Sequence, residues 1–456
     1  MPMKLSRSTI IVPVPDRTDA LLVQPISGQA ALVSADHARL LERGAFDSPE
    51  LALDDLREAG FVVESDEEDQ QLLAEAYAGY LDDLEQTPTQ LIVVPTLACN
   101  LRCVYCYQEP FEGQSKTLMA PETIDALFAW IDRFHAADSP KPYLTLFGGE
   151  PLIDTDSHHD RIGRLLQGAA HRGLEVAVVT NGHDLSAFVP TLANGPVKEV
   201  QVTIDGPQAV HDRRRPHGSG AGTFRRVADG VQRLVDTEIP INLRVVVDRD
   251  NMEALPELAA FCAAQGWLDL PESRFKTQIG RNYELFGCAA GQRRDQLFDR
   301  VGLWARFIEL ARRHPDLARF HRPRFHGIAH LAETGELPGP NFDACPATKK
   351  EWAFDATGAV YGCTATVGNP RYKLGTYAPT ISLDEAAVSA WRERNVFSIP
   401  ACQTCELAPM CGGGCGALAD REHGSVLSPD CRPVRELMGL GAKYYRLGAD
   451  DSDDPT

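Results

Sequence analysis

The chain has 456 residues, 43% of them hydrophobic and 24% charged, with 64 acidic side chains against 45 basic ones for a net charge of −19. That length suits about two to four globular domains, and the absence of any apolar run near roughly 18 residues excludes a membrane span. The acidic balance argues against bulk-field binding to nucleic acid or an anionic membrane, and residues 1–16 lack the apolar core of a secretory signal, so a cytoplasmic protein is expected. Twelve cysteines in such a chain point to metal or redox chemistry rather than disulfides.

Residues 1–85 open with strand-like runs at Ser8–Val14 and Ala20–Val33, the second broken by a hairpin turn at Pro25–Gly28. Helical segments follow at Ala35–Arg43 and Pro49–Ala59, then a short strand at Phe61–Val63. This order predicts a small winged-helix-like domain. Its second helix carries Asp54, Asp55 and Glu58 against a single Arg57, which argues against a DNA-reading role. Asp66–Gln86 reads as an acidic amphipathic linker helix, with Leu72, Leu73, Ala76, Tyr77, Tyr80, Leu81 and Leu84 at helical spacing.

From 88 to 290, strands alternate with helices. Strands are predicted at Gln90–Leu97, Tyr143–Phe147, Glu175–Thr180, Glu199–Ile204, Ile241–Val247 and Arg274–Ile279, and helices near 121–135, 157–172, 184–193, 223–236 and 252–265, starting after cap residues such as Asp184 and Asn251. Six such units make the expected class α/β, a partial (β/α)6 barrel of the TIM type with its reactive face at the strand C-termini. Residues 291–339 form a helical connector with a helix at 293–313. Residues 340–440 form a cysteine-rich module too irregular to fold without metals, and 447–456 an acidic, disordered tail.

The chemistry concentrates at a few positions. Cys99, Cys103 and Cys106 follow the first barrel strand at C-x3-C-x2-C spacing, supplying three thiolates for a four-iron cluster whose fourth iron stays open; short cysteine runs also bind zinc. After the second strand comes Gly148-Gly149-Glu150-Pro151, where the glycines allow close backbone approach and the carboxylate can accept from an ammonium. The third strand ends Thr180-Asn181-Gly182 and the fourth Thr203-Ile204-Asp205-Gly206. Arg244 on the fifth strand can clamp a carboxylate bidentately or pair with a barrel carboxylate. His211, Arg213, Arg214 and Arg215 read as a solvated basic loop, with contact to the substrate or cofactor as the alternative. Tyr105 stands between two of the cysteines. Farther on, Cys345 is followed by Gly358 and Cys363, then Cys402-x2-Cys405-x5-Cys411-x3-Cys415, then Cys431. Cys262, within a helix, reads as a buried small apolar residue.

From about 90 to 440 these motifs resemble the radical S-adenosylmethionine (SAM) enzymes that carry a SPASM extension. The resemblance implies three [4Fe-4S] clusters, one binding SAM and two auxiliary. In that family the cysteine triplet holds the SAM-cleaving cluster, the G-G-E-P element (Gly148, Gly149, Glu150) meets the SAM amino group, and Asn181, Thr203, Asp205 and Arg244 match elements around its ribose and carboxylate. Tyr105 matches an aromatic beside the adenine. By the same pattern Cys402, Cys405, Cys411 and Cys431 hold one auxiliary cluster completely, and Cys345, Cys363 and Cys415 hold the other. Some members complete that second set with a cysteine where this chain has Glu351, so its fourth ligand stays open among Cys288, Glu351, another side chain or a substrate thiolate. Sulfatase-maturing relatives place an Asp where Thr364 follows Cys363, which argues against formylglycine formation.

Residues 1–85 resemble, in topology, the leader-recognition domains of peptide-modifying members, where a peptide adds as a strand to a sheet edge. The implied function is post-translational modification of a ribosomally made precursor peptide, by a thioether or other cross-link, with a leader-bearing precursor and a flavodoxin or ferredoxin-type reductant as partners and neither nucleic acid nor membrane. The alternatives are a protein side-chain maturase, a small-molecule radical SAM enzyme, and a non-enzymatic electron carrier or winged-helix regulator. No catalytic base is assignable from spacing.

Overall fold

The computed structural model describes residues 3–108, 116–282 and 295–448; Cys288 and the acidic tail from residue 449 lie outside them. The N-terminal region runs β1 (Lys4–Leu5), β2 (Ile10–Pro13), β3 (Ala20–Gln24), β4 (Gln29–Val33), α1 (Ala35–Glu42), α2 (Leu53–Glu58), β5 (Val62–Val63) and α3 (Asp66–Glu85). Strands β2, β3 and β4 form an antiparallel meander, with the β3–β4 turn where Pro25–Gly28 predicts it, and β1 pairs antiparallel with β5. The expected helix at Pro49–Ala59 shrinks to α2, because residues 45–51 fold into successive turns (Ser48 N–H to Ala45 O, Leu51 N–H to Ser48 O). Ser65 caps α3 by accepting the Glu68 N–H.

The next unit opens with β6 (Gln90–Val94), apolar and buried at every position from 91 to 94, as a central parallel strand must be. There follow α4 (Pro121–Phe134), β7 (Tyr143–Leu146), α5 (Asp156–Arg172), β8 (Val176–Thr180), α6 (Leu185–Ala193), β9 (Val197–Thr203), α7 (Gln208–Arg214), α8 (Phe224–Val235), β10 (Ile241–Val247), α9 (Leu255–Ala264) and β11 (Phe275–Arg281). Strands β6 to β11 pair in chain order, all parallel, so their C-terminal ends share one edge. The six expected strands and five expected helices are all present. Asp184 and Asn251 stand before helices but do not cap them with their side chains; Asp184 accepts from Asn100 and Arg226, and Asn251 from the Asp248 N–H.

Helices α10 (Arg300–Arg313), α11 (Pro315–Phe320) and α12 (Ile328–Thr334) lead to β12 (Glu351–Asp355), β13 (Ala359–Tyr361), β14 (Gly375–Thr376), β15 (Ser382–Leu383), α13 (Glu385–Arg392), α14 (Ala408–Cys411), α15 (Gly416–His423) and α16 (Val434–Tyr444). This module does not stand apart. Strand β12 extends the central sheet by pairing parallel to β6, with Trp352 opposite Leu91, and β13 to β15 continue it antiparallel. Gly358 turns β12 into β13 with φ of +85°, and a Cβ there would meet the Ala378 carbonyl oxygen at 2.5 Å. Two further cores join the ends of the chain to it. Leu73, Ala76, Tyr77 and Tyr80 of α3 pack on Phe342, Val396 and Cys402, while Val434, Met438 and Ala442 of α16 share a core with Ile10, Val12 and Leu21 of the N-terminal sheet.

The loop bearing Cys99, Cys103 and Cys106 is held from two sides. On one, Gly149 and Glu150 donate their N–H groups to Thr96 O and Ala98 O; a Cβ on Gly149 would lie 2.2 Å from Ala98 O. On the other, Arg102 N–H and Val104 N–H donate to Pro216 O and Arg214 O. The second clamp depends on α7, a helix the sequence reading did not include. Of the basic run there only Arg213 is exposed: His211, Arg214 and Arg215 are buried. His211 accepts the Asp205 N–H at Nδ1 and meets the Thr223 hydroxyl through Nε2, and burial, aided by the Arg215 charge, holds its imidazole down to about 4 from 6.5.

Two outcomes follow from this packing. Gly149→Ala forces a methyl into the carbonyls before Cys99, an overpacking cost of about 1–3 kcal/mol, so its thermal midpoint in circular dichroism falls below wild type. Between pH 6.5 and 4 the unfolded chain protonates His211 while the folded chain does not, so stability falls as pH drops through that window. In urea titrations at stepped pH, His211→Gln flattens this slope by about one proton relative to wild type.

Candidate radical-chemistry site

A cavity of about 370 Å³ opens at the C-terminal ends of β6 to β10, within the size range of small-molecule sites. Cys99, Cys103 and Cys106 line it together. Burial pushes the Cys103 thiol up to about 12 and the Cys99 thiol up to about 11, Arg215 pulling Cys103 back and Glu150 adding to the rise at Cys99. Thiols in this state are poor free nucleophiles and become thiolates on binding metal.

Glu150 is buried beside the triplet, its carboxylate accepting the Asn181 N–H at 2.6 Å, the Thr180 hydroxyl at 2.7 Å and the Leu152 N–H at 2.8 Å. Burial nevertheless pushes the carboxyl up to about 7 against these three donors. Arg244 faces the same cavity with no hydrogen bond or ion pair among the described residues, its guanidinium in space that Gly280 of β11 leaves open; a Cβ there would lie 3.1 Å from Nη2. An anionic and an unpaired cationic group across one cavity complement the ammonium and carboxylate of an α-amino acid. With three thiols beside them, the residues present fit a four-iron cluster with SAM.

The remaining expected ligands divide. Gly148, Gly149, Asn181 and Thr203 line the cavity. Asn181 also works on the cysteine loop, donating from Nδ2 to Asn100 Oδ1 at 2.8 Å and to Cys99 Sγ at 3.7 Å. Tyr105 lines it too, but its hydroxyl donates to Asp205 at 2.6 Å and accepts from Arg215. Asp205 itself is turned away from the cavity: it is fully buried, with Oδ1 accepting the Val246 N–H and Oδ2 the Tyr105 hydroxyl, beside Arg214. Its sequence assignment as a cofactor contact gives way to a structural one, because a carboxylate after β9 finds cations on α7 before it finds the cavity. Arg215, read as solvated, lines the cavity. The missed signal was the spacing of His211 and Arg214 on one face of a short helix.

The C-terminal cysteines fall into two neighbourhoods. Burial raises the Cys363 thiol, and Glu351, Cys345 and Cys415 raise it further. Burial pushes Cys402 up to about 11, with Cys411, Cys405 and Cys431 as its charged neighbours. Cys345 is buried, and the Ala347 and Gly416 N–H groups favour its thiolate; Cys405 and Cys431 are exposed. Cys262 is buried in the main core.

Residues 93–262 match the Radical SAM superfamily. The mycofactocin maturase MftC of Mycolicibacterium smegmatis is 26% identical over 338 residues, covering 71% of this chain and 76% of its own. A serine-type anaerobic sulfatase-maturating enzyme of Bacteroides thetaiotaomicron is 29% identical over 173 residues, 36% of this chain and 41% of its own. Among solved structures, native anSMEcpe with bound AdoMet and Cp18Cys peptide superposes with a TM-score of 0.59 at 17% identity, over 78% of this chain and 97% of that one. Streptococcus suis SuiB bound to precursor peptide SuiA superposes at 0.53 and 15% identity, over 95% and 99%. These two likenesses are of fold. With its cysteine triplet, Glu150 and Arg244 on one cavity at the ends of a parallel sheet, the chain is an enzyme that carries a radical SAM domain at residues 93–262.

Proposed function

We propose that this enzyme modifies a ribosomally made precursor peptide, installing a thioether or other cross-link, and that its C-terminal module is a SPASM domain holding two auxiliary [4Fe-4S] clusters. The observation that carries the reading is the shared cavity of the cysteine triplet, Glu150 and the unpaired Arg244. The bound cluster and SAM supply a 5′-deoxyadenosyl radical for hydrogen abstraction from an unactivated carbon. The chain's residues do the rest. Cys99, Cys103 and Cys106 hold the cluster, Glu150 receives the SAM ammonium, and Arg244 clamps the methionyl carboxylate. Gly148 and Gly149 let backbone approach the ligand closely, and Thr203 and Asn181 line the same wall.

The peptide substrate is supported by the relatives: a mycofactocin maturase, and SuiB solved with its precursor SuiA. Within residues 1–85, β4 pairs only with β3 among the described residues, leaving its other edge for a leader strand. A reductant of flavodoxin or ferredoxin type is the corresponding electron source. The sulfatase-maturating relative favours a second reading, a protein side-chain maturase. Thr364 weighs against it, offering no carboxylate after Cys363.

Anaerobically reconstituted protein should hold about twelve irons, and the Cys99→Ala/Cys103→Ala/Cys106→Ala variant about eight, with 5′-deoxyadenosine release under dithionite and SAM abolished. Mostly zinc, or no 5′-deoxyadenosine with any peptide encoded beside the gene, would defeat the proposal. Arg244→Met should weaken SAM binding roughly 10–100-fold, the worth of one charge-assisted pair, while iron content stays at the wild-type value in equilibrium dialysis.

A further inference from the structure

Three thiols account for three corners of a four-iron cluster, and the neighbourhood of Cys345, Cys363 and Cys415 supplies no fourth thiol among the described residues. It does supply a carboxylate. Glu351 begins β12, and the turn from Cys345 brings it back over the start of that turn: Glu351 N–H donates to Pro346 O, and Thr348 N–H to Glu351 O, both at 2.9 Å. Its side chain reaches toward the next cysteine, where the Thr364 N–H donates to Oε1 at 3.3 Å. Thr364 follows Cys363 directly in the chain, so this hydrogen bond sets the Glu351 carboxylate beside that cysteine.

That carboxylate is otherwise unexplained. Glu351 is half-buried; among the described residues it has no cationic partner and the Thr364 N–H is its one donor, whereas a carboxylate drawn away from water is ordinarily paired or multiply hydrogen-bonded. The nearby Asp343 is not a competitor, because it is committed to Lys349 at 2.5 Å and to the Cys345 N–H at 2.9 Å. Carboxylate oxygens are ordinary iron ligands in helical di-iron proteins, and a non-thiolate side chain replaces cysteine on one iron of Rieske clusters.

We propose that Glu351 is the fourth protein ligand of the cluster held by Cys345, Cys363 and Cys415. This rests on the two-auxiliary-cluster reading above. A closed site would give the cluster an electron-transfer role and leave no iron for a substrate thiolate.

The test uses the full chain carrying Cys99→Ala/Cys103→Ala/Cys106→Ala, so that only auxiliary clusters report, with Glu351→Ala, Glu351→Cys or Cys288→Ala added. The probe is carbon-13 cyanide on the reduced clusters, read as carbon-13 coupling in electron-nuclear double resonance. The parent should hold about eight irons and show no coupling. Glu351→Ala should gain coupling or lose about four irons, and Glu351→Cys should restore both the iron and the closed spectrum. Cyanide coupling in the parent, an unchanged spectrum in Glu351→Ala, or opening by Cys288→Ala instead would overturn the assignment. A parent holding about four irons or fewer would overturn the two-cluster reading itself, and the ligand assignment with it.

Discussion

The geometry of the site depends on a charge cluster kept out of water. Arg214, buried after β9, donates to Asp248 at 2.7 Å and to Val246 O at 3.1 Å and lies 3.5 Å from Asp205. Asp205 binds the Tyr105 hydroxyl, Tyr105 accepts from Arg215, and Asn282 donates to the second oxygen of Asp248. Removing one member would strand a buried charge, which typically costs about 3–5 kcal/mol, so the members hold one another in place. Because Tyr105 lies between Cys103 and Cys106, the network carries the cysteine loop with it. The ends of β9 and β10, the segment after β11 and the thiols are thereby set relative to one another.

Opposite this network, Gly148 and Gly149 bring the end of β7 against the carbonyls of residues 96–98, and Glu150 follows beside Cys99. The loop between these two clamps has little freedom, which suits a site whose ligands must keep their spacing before and after a cofactor arrives. Arg244, by contrast, has no hydrogen bond or ion pair among the described residues, whereas the buried Arg214 and Arg215 each have one. Arg214 thus lies among buried carboxylates and Arg215 on the Tyr105 hydroxyl, while Arg244 faces the cavity with no such partner among the described residues.

The C-terminal module is tied into the same frame by backbone. Strand β12 pairs with β6, the strand that leads to the cysteine triplet, and the Tyr107 hydroxyl donates to Thr364 O at 3.4 Å. Residues near Cys363 therefore border the cavity: Thr364 and Ala365 line it. The other neighbourhood, with exposed Cys405 and Cys431, lies where α3 packs across Phe342 and Val396. The N-terminal sheet meets α16 in a common core, so the two ends of the chain are fastened to each other.

Periodicity and spacing were enough to read the six parallel strands, their helices and the linker helix, and to place Cys99, Cys103, Cys106 and Glu150 at the strand ends where they line one cavity, because strand burial and motif spacing are local properties of a sequence. What local pattern could not decide was which charges are buried and with whom. Asp205 reads as a strand-end ligand and Arg214 and Arg215 as a solvated run, until α7 folds back and buries them together. The same holds for β12 joining the central sheet and for Glu351 arriving beside Cys363. The sequence alone determined the parallel α/β class and which side chains stand at the strand ends; tertiary structure decided which carboxylates face the cavity, which are neutralised within the wall and which stand beside the C-terminal cysteines, since pairing and desolvation depend on neighbours distant in the chain.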